Sequence, residues 1–375
     1  MRYGKRRGVK MLKSIKIEGY RGIRLLELDN LARVNILLGE NGSGKTSVLE
    51  AISLMSNPTP YEHIKLAQLR DMRSPKLGDE EALSSIFFAD REFKAVCLTA
   101  RYDEGKKNSY QQRLEIKPVK RTDNYTIDFE VEHTNGSLNL DMSDNALVGV
   151  KHLIFINNQR CSEQTLLLHS KGGKISTRSS TDMCDGELEF EGNFFIDARR
   201  STSISESASM ISRLFRSPAN KKRFIAALKS VAPQLIDIQI GFHNNSRSIY
   251  ADIGQDRLTP INTLGDGFNR IFLIMTGLIG SDRQLVLVDE IDSGLHYSVM
   301  DKFWQDIYTL TGNGMQLFCA THNDEMLRST LSAFSSSEQQ LQIIRLDRTP
   351  SGVVTPIYYT VEEYKEAIDF GFDIR

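Results

Sequence analysis

GENGSGKT, residues 39–46, follows the apolar run VNILL (34–38) and precedes SVLEAISLM (47–55). VNILL reads as a short buried strand, and the spacing of Val48, Leu49, Ile52 and Met55 puts them on one face of a helix. A loop joining such a strand to such a helix aims unpaired backbone N–H groups at an anion, since the first amides of a helix have no partner within it. The spacing is that of GxxxxGK[ST], and each residue type has a physical task. Gly39, Gly42 and Gly44 let the backbone wrap a phosphate without a Cβ in the way. Lys45 neutralises the β and γ oxygens, and the Thr46 hydroxyl is placed to hold Mg²⁺. Glu40, Asn41 and Ser43 complete the loop, and Ser47 opens the helix behind it. The expectation is a nucleoside triphosphate and Mg²⁺ bound over residues 39–47. An ordinary glycine turn is the bland alternative, and the strand and helix on either side weigh against it.

The bulk of the chain is consistent with a large globular NTPase. Its 375 residues, 40% hydrophobic and 25% charged, can bury a substantial core as one domain or two lobes. A net charge of −1 gives no global field for nucleic acid, although the segments 5–7 and 213–229 are locally basic. Cys97, Cys161, Cys184 and Cys319 are scattered and form no CxxC pair, so free thiols in a reducing compartment are expected. The basic start lacks an apolar signal region, and no run approaches the roughly 18 apolar residues of a membrane span. The sequence is read as cytoplasmic, with no membrane contact.

KSIKIEGYRGIRLLELDN (13–30) reads as two strands about a glycine turn. FKAVCLTARY (93–102), QQRLEIKPV (111–119) and YTIDFEVEH (125–133) alternate apolar and polar residues, which predicts an antiparallel sheet. Residues 134–192 look irregular, with 170–186 an exposed loop, before the strand in GNFFIDARR (192–200). A helical pattern over 203–231, broken at Pro218, leads to a hairpin in IDIQIGFH (236–243) and SIYADIG (248–254). From Thr263 helix and strand alternate, which predicts parallel α/β structure. The expected regions are 12–200, 201–262 and 263–375 of a single head.

Which NTPase this is depends on the last third. QLVLVDE (284–290) is an apolar strand ending in two acids: Asp289 can hold magnesium through water and Glu290 can orient or deprotonate the attacking water. More than two hundred residues separate Lys45 from Asp289, so a whole lobe is inserted between them, unlike a small GTPase or a simple kinase. TLGDGFNRIFLIMTGLI (263–279) runs a glycine-bearing turn, Gly265, Asp266 and Gly267, into an apolar helix. One chain needs one phosphate loop for its own nucleotide, so this second anion-ready helix start suggests contact with a nucleotide held by another subunit. IDSGLH (291–296) follows directly, and QLFCATHND (316–324) gives a strand ending in Thr321 and His322, a histidine placed to sense a γ-phosphate.

Taken together, these motifs resemble an ATP-binding-cassette ATPase of the SMC, Rad50, RecF and OLD kind. GENGSGKT resembles Walker A, LGDGFNR the signature turn, LVLVDE Walker B, IDSGLH the D-loop and CATHND the switch-histidine strand. The resemblance implies an α/β head with a mixed phosphate-loop sheet, an N-terminal antiparallel β lobe and an inserted helical lobe. It implies ATP and Mg²⁺ as cofactors, Glu290 and His322 in catalysis, and a homodimer or higher homo-oligomer assembled on ATP. Gln159 is a candidate for the Q-loop glutamine, and the pair Arg199 and Arg200 after NFFID is another polar element at a strand end. No sustained heptads and no appended nuclease domain appear, so the chain resembles the ATPase subunits of bacterial anti-phage systems that work with a separate nuclease or toxin. The alternative is a RecF-type repair ATPase in direct contact with DNA.

Overall fold

The computed structural model describes residues 10–70, 85–88, 95–104, 108–120, 147–168, 175–180, 192–197, 204–243, 246–280, 285–311 and 314–370. Strands β1 (Lys10–Tyr20) and β2 (Ile23–Leu28) pair antiparallel with Ile17 opposite Leu26, and Arg21 takes a left-handed φ of 50° between them. Next come β3 (Val34–Leu38), helix α1 (Lys45–Ser56) and helix α2 (Pro60–Arg70). Strands β4 (Val96–Glu104), β5 (Asn108–Lys120), β6 (Leu147–Ile156), β7 (Gln159–Leu168) and β8 (Ile175–Ser180) extend the first hairpin into one antiparallel sheet, in the order β2-β1-β4-β5-β6-β7-β8. Its inner face carries Ile15, Ile17, Leu98, Leu114, Ile116 and Ile154, all buried. Its outer face carries ion pairs such as Lys16–Glu27 at 3.2 Å and Lys151–Glu163 at 2.9 Å. That alternation is what a sheet covered on one side requires.

The segment expected to be irregular, 134–192, contains β6, β7 and β8. The turn between β6 and β7 is Asn157–Asn158, with φ of 48° and 68°. Two left-handed residues make the tight hairpin that matches strand twist, and asparagine tolerates that conformation without glycine's sequence signature. The Asn157 side chain also accepts a hydrogen bond from the Gln111 amide at 2.9 Å. β8 was expected to be loop because its sequence, ISTRSS, is polar. Among the described residues it is the last strand of the sheet, paired antiparallel to β7 from Leu168↔Ile175 to Glu163↔Ser180. The candidate strand 125–133 lies outside the described residues. Cys97 and Cys319 are free, but Cys161 is disulfide-bonded, which corrects the expectation of free thiols throughout. The spacing of the cysteines alone carries no sign of such a bond.

Strand β9 (Phe194–Ile196) precedes α3 (Ile204–Leu214), α4 (Pro218–Leu228) and the small sheet β10 (Asp237–His243), β11 (Ser246–Asp252) and β12 (Thr259–Pro260). The helical stretch is interrupted before Pro218, which starts α4, and the Ser217 side chain caps that helix by accepting from the Asn220 amide at 3.3 Å. The chain then runs through α5 (Asp266–Gly280), β13 (Leu285–Val288), α6 (Tyr297–Thr311), β14 (Gln316–Ala320), α7 (Asp324–Phe334), β15 (Leu341–Arg348), β16 (Val354–Tyr359) and α8 (Val361–Asp369). A six-stranded sheet in the order β16-β15-β3-β14-β13-β9 is parallel except for β16, which runs antiparallel to β15.

That sheet is the shared wall of two cores, and its strands therefore read as continuous apolar runs. Val34, Ile36, Val286, Val288, Leu317 and Cys319 face the core shared with α3 to α8. Leu37, Leu287, Phe318 and Ala320 face the other, shared with α1 and the antiparallel sheet. Two buried polar side chains are fully used in this wall. Asn35 accepts from the Ala32 amide and donates to the Ala32 carbonyl, both at 2.8 Å. Gln316 accepts from the Leu12 amide at 3.0 Å and donates to the carbonyls of Leu12 and Ala32, which pins the two sheets together. Among the described residues no helix is long and apolar enough to cross a membrane.

Candidate nucleotide site

β3 delivers the chain to the loop at Gly39 and α1 carries it away from Gly44. Gly39, Gly42 and Gly44 have φ of 135°, 85° and 109°, values that glycine adopts without strain. At Gly39 space is also decisive, because a Cβ there would lie 2.6 Å from the Leu346 carbonyl. Gly44 is the N-cap of α1, and neither a capping side chain nor an acid in the first turn competes for the helix start. Lys45 Nζ donates to the carbonyls of Gly39 at 2.5 Å and Glu40 at 3.0 Å, so the lysine spans its own loop. Ser43 is buried and its amide donates to the Glu40 carbonyl at 3.1 Å, while Glu40, Asn41 and Gly42 face solvent. From β15, Arg348 Nη1 donates to the Gly42 carbonyl at 3.1 Å.

Across the loop, Thr46 Oγ1 donates to Asp289 Oδ2 at 2.8 Å, bringing together residues from the two ends of the chain. Asp289 is buried at the tip of β13, and its carboxyl is pushed up to about 6. Burial is the largest cause, the carboxylates of Asp197, Glu290 and Glu50 add to it, and the Thr46 hydroxyl opposes it. The Lys45 ammonium is lowered by burial while Asp289 and Glu290 pull it back up. This corner thus carries more negative charge than Lys45 balances, beside a hydroxyl of the type that ligates magnesium. Among the described residues no three His, Cys, Asp or Glu side chains converge on a metal position. Magnesium at a phosphate loop takes a hydroxyl, a carboxylate through water and the substrate's own oxygens, so the donor set fits that ion.

Glu290, exposed beside this corner, has a left-handed φ of 48°. The sequence reading passed over the residue that grips its backbone. Arg270 on α5 is buried, and its guanidinium donates to the carbonyls of Asp197, Asp289 and Glu290. Its signal was a lone arginine in an otherwise apolar helix.

The second glycine turn differs from its expected form. α5 begins at Asp266, so Gly267 lies inside the first helical turn. Gly265, with φ of 94°, is exposed, and a Cβ there would meet nothing within 4 Å. A Cβ on Gly267 would lie 2.5 Å from the Gly294 carbonyl of the same chain. Gly267 therefore has an intramolecular reason to be glycine, close packing on the loop after β13. Asp266 is exposed at the helix start. His322 is exposed just past β14, next to Thr321, whose hydroxyl donates to Asp292 at 2.6 Å. Gln159 is not brought to the phosphate loop. It lies in the exposed β6–β7 turn opposite Ile156, in the row of Gln112, whose amide meets Met55 at the far end of α1. Arg199 and Arg200 lie outside the described residues.

Two family models match overlapping parts of the chain. "AAA ATPase domain" covers residues 11–183, and "AAA domain, putative AbiEii toxin, Type IV TA system" covers residues 157–328. A protein named ATP/GTP phosphatase from Helicobacter pylori is 18% identical over 93% of this chain and 96% of its own length. The chain is an ATPase whose sequence matches AAA-type domain models over residues 11–328. RecF of Anaeromyxobacter dehalogenans is 40% identical over 58 residues, 16% of each protein. Two solved SMC head domains share the fold. One, bound to the C-terminal winged-helix domain of ScpA, superposes with a TM-score of 0.55 at 12% identity over 95% of this chain and 99% of its own. The other, from Pyrococcus furiosus with an extended coiled coil, gives 0.56 at 11% identity over 96% of this chain and 99% of its own. The ATPase thus shares the mixed α/β fold of these heads.

Proposed function

We propose that this ATPase binds Mg-ATP at Lys45, Thr46 and Asp289, dimerises head to tail around two nucleotides, and acts as the cytoplasmic regulatory subunit of a defence system with a separate effector. The observation that carries the reading is the asymmetry of the two glycine turns. The loop at 39–46 has its own lysine and magnesium donors, whereas the turn at 265–267 offers an exposed helix start with neither. In the composite site Gly265, Asp266 and Gly267 of one chain face the γ-phosphate bound at Gly39–Ser47 of the other, with Glu290 acting on water and His322 contacting the γ-phosphate. The AbiEii-type family match supports a toxin or nuclease as the controlled partner.

The test is to express the ATPase with its neighbouring gene and challenge the host with phage. Protection that disappears with Lys45→Ala, together with co-purification of the neighbour's product that changes with ATP, supports the reading. Protection without the neighbouring gene contradicts it. A direct role on DNA draws on one observation: Arg216, Lys222, Arg223 and Lys229 are exposed on and around α4. Retention by the purified ATPase of a DNA duplex, weakening steeply with salt, favours that second reading.

A further inference from the structure

In the proposed site Glu290 presents its side chain from a backbone that L-residues avoid. Glu290, with φ of 48°, sits in the left-handed region, which costs roughly 1–2 kcal/mol for a non-glycine residue and persists only where surrounding contacts over-determine it. The contacts that do so are few and specific. The Asp289 amide donates to the Ile196 carbonyl at 2.9 Å and the Ile291 amide to Ala320 at 2.9 Å, anchoring the chain on either side of Glu290. Between these anchors, Arg270 Nη2 donates to the carbonyls of Asp289 and Glu290, and Nη1 reaches Asp197 at 3.3 Å. Every acceptor is a main-chain oxygen, so the guanidinium governs peptide orientation instead of neutralising an acid. Arg270 is only 8% exposed, and burial lowers its guanidinium while Asp289, Glu290, Asp292 and Asp197 hold it up.

Arg270 is also one helical turn from the exposed start of α5. Gly267, in that first turn, packs against the Gly294 carbonyl of the loop that follows Glu290. The start of α5 therefore touches the β13 tip through Arg270 and the chain beyond it through Gly267. We infer that Arg270 is a positioning residue for hydrolysis, holding the Asp289–Glu290 peptide so that Glu290 faces the attacking water, and linking the start of α5 to that tip. The inference rests on the proposed role of Glu290. Whatever a partner's nucleotide does to the exposed turn at Gly265 is passed to Glu290 through one planar cation. Lysine keeps the charge but cannot satisfy carbonyls in a fixed fork, so it is the discriminating replacement.

The experiment compares Arg270→Lys, Arg270→Gln, Glu290→Gln and the double variant Arg270→Lys/Glu290→Gln, measuring kcat, Mg-ATP affinity and thermal midpoint for each. Expected are a drop in kcat of roughly 10- to 100-fold for Arg270→Lys with affinity within about 3-fold, since a small misplacement costs the chemical step more than binding. In the Glu290→Gln background the lysine replacement should lower kcat no further, because the residue it positions is already gone. An unchanged kcat in folded Arg270→Lys, or losses that multiply in the double variant, overturns the inference. Failure of both Arg270 variants to fold assigns the residue to structure and overturns it as well. Normal hydrolysis by Glu290→Gln alone is a different failure, that of the role given to Glu290.

Discussion

The two glycine turns are alike in sequence position, each at the start of a helix, and unlike in everything around them. At Gly39–Thr46 the chain supplies a curled backbone, a lysine on its own loop carbonyls and a hydroxyl joined to Asp289 at 2.8 Å. At Gly265–Gly267 one glycine meets open space and the other packs on Gly294. On the proposed reading, a phosphate at the first turn meets a cation, amides and magnesium donors at once. At the second it finds only the end of a helix, and a single helix terminus is a weak site without further groups. On the proposed reading, the same local geometry serves as a whole site or as half of one according to which side chains the fold gathers beside it.

The strongest way to break this comparison is to remove what makes the first turn complete. Lys45→Ala should abolish measurable Mg-ATP binding and lower turnover by roughly 10³-fold, as losing a buried phosphate contact does. Isothermal titration with ATP reads this, and wild-type affinity would mean the loop needs no cation of its own.

Asp289→Asn should raise the Mg²⁺ concentration needed for half-maximal turnover by about 10- to 100-fold, the range for losing an outer partner of a metal. The intact carboxyl titrates at about 6, above its ordinary 3.8. Its folded pKa is raised, so the folded state holds a proton that the unfolded chain releases between those values. Without metal, folding stability therefore falls as pH rises from 3.8 to about 6. Magnesium must displace the same proton, so its affinity should fall about tenfold per unit below pH 6. A flat magnesium response from pH 7 to 5 would detach Asp289 from the ion.

Smaller effects sharpen the contrast. His322→Ala should slow hydrolysis about tenfold with ATP affinity nearly unchanged, because a γ-phosphate contact of this kind counts most in the transition state. An unaltered rate would leave His322 an ordinary exposed residue at a strand end. Gly267→Ala should lower folding stability by about 1–3 kcal/mol in urea denaturation, the cost of overpacking against the Gly294 carbonyl. Full stability there would show that the close approach relaxes easily.

Much of this was legible in the sequence where chemistry and pattern coincide. VNILL, LVLV and QLFCA are apolar runs because both faces of their sheet are buried, and glycine, lysine and acid follow them at fixed spacing. Strands β6 to β8 were hidden for a physical reason: an Asn-Asn turn and a polar strand leave no alternation to count. Arg270 was hidden because its partners are carbonyls, which every residue has, so no complementary acid marks it. The packing of Gly267 on Gly294 was equally invisible, since a glycine needed for space looks like a glycine needed for a phosphate. Only the fold separates those two demands.

That separation also selects the variant for the direct test of the dimer. Replacing Gly267 would disturb its own chain, whereas Gly265 faces open space, so an aspartate there meets no atom of its own chain and carries only the backbone strain of a φ of 94°. Glu290→Gln should bind Mg-ATP and turn it over far more slowly than it binds, and light scattering should show its mass double when Mg-ATP is added. With Gly265→Asp also introduced, a side chain and a like charge occupy the place of the partner's phosphate, and the mass should stay that of one chain while each chain still binds ATP. A Glu290→Gln protein that remains monomeric with ATP bound, or a double variant that still dimerises, would contradict the composite site.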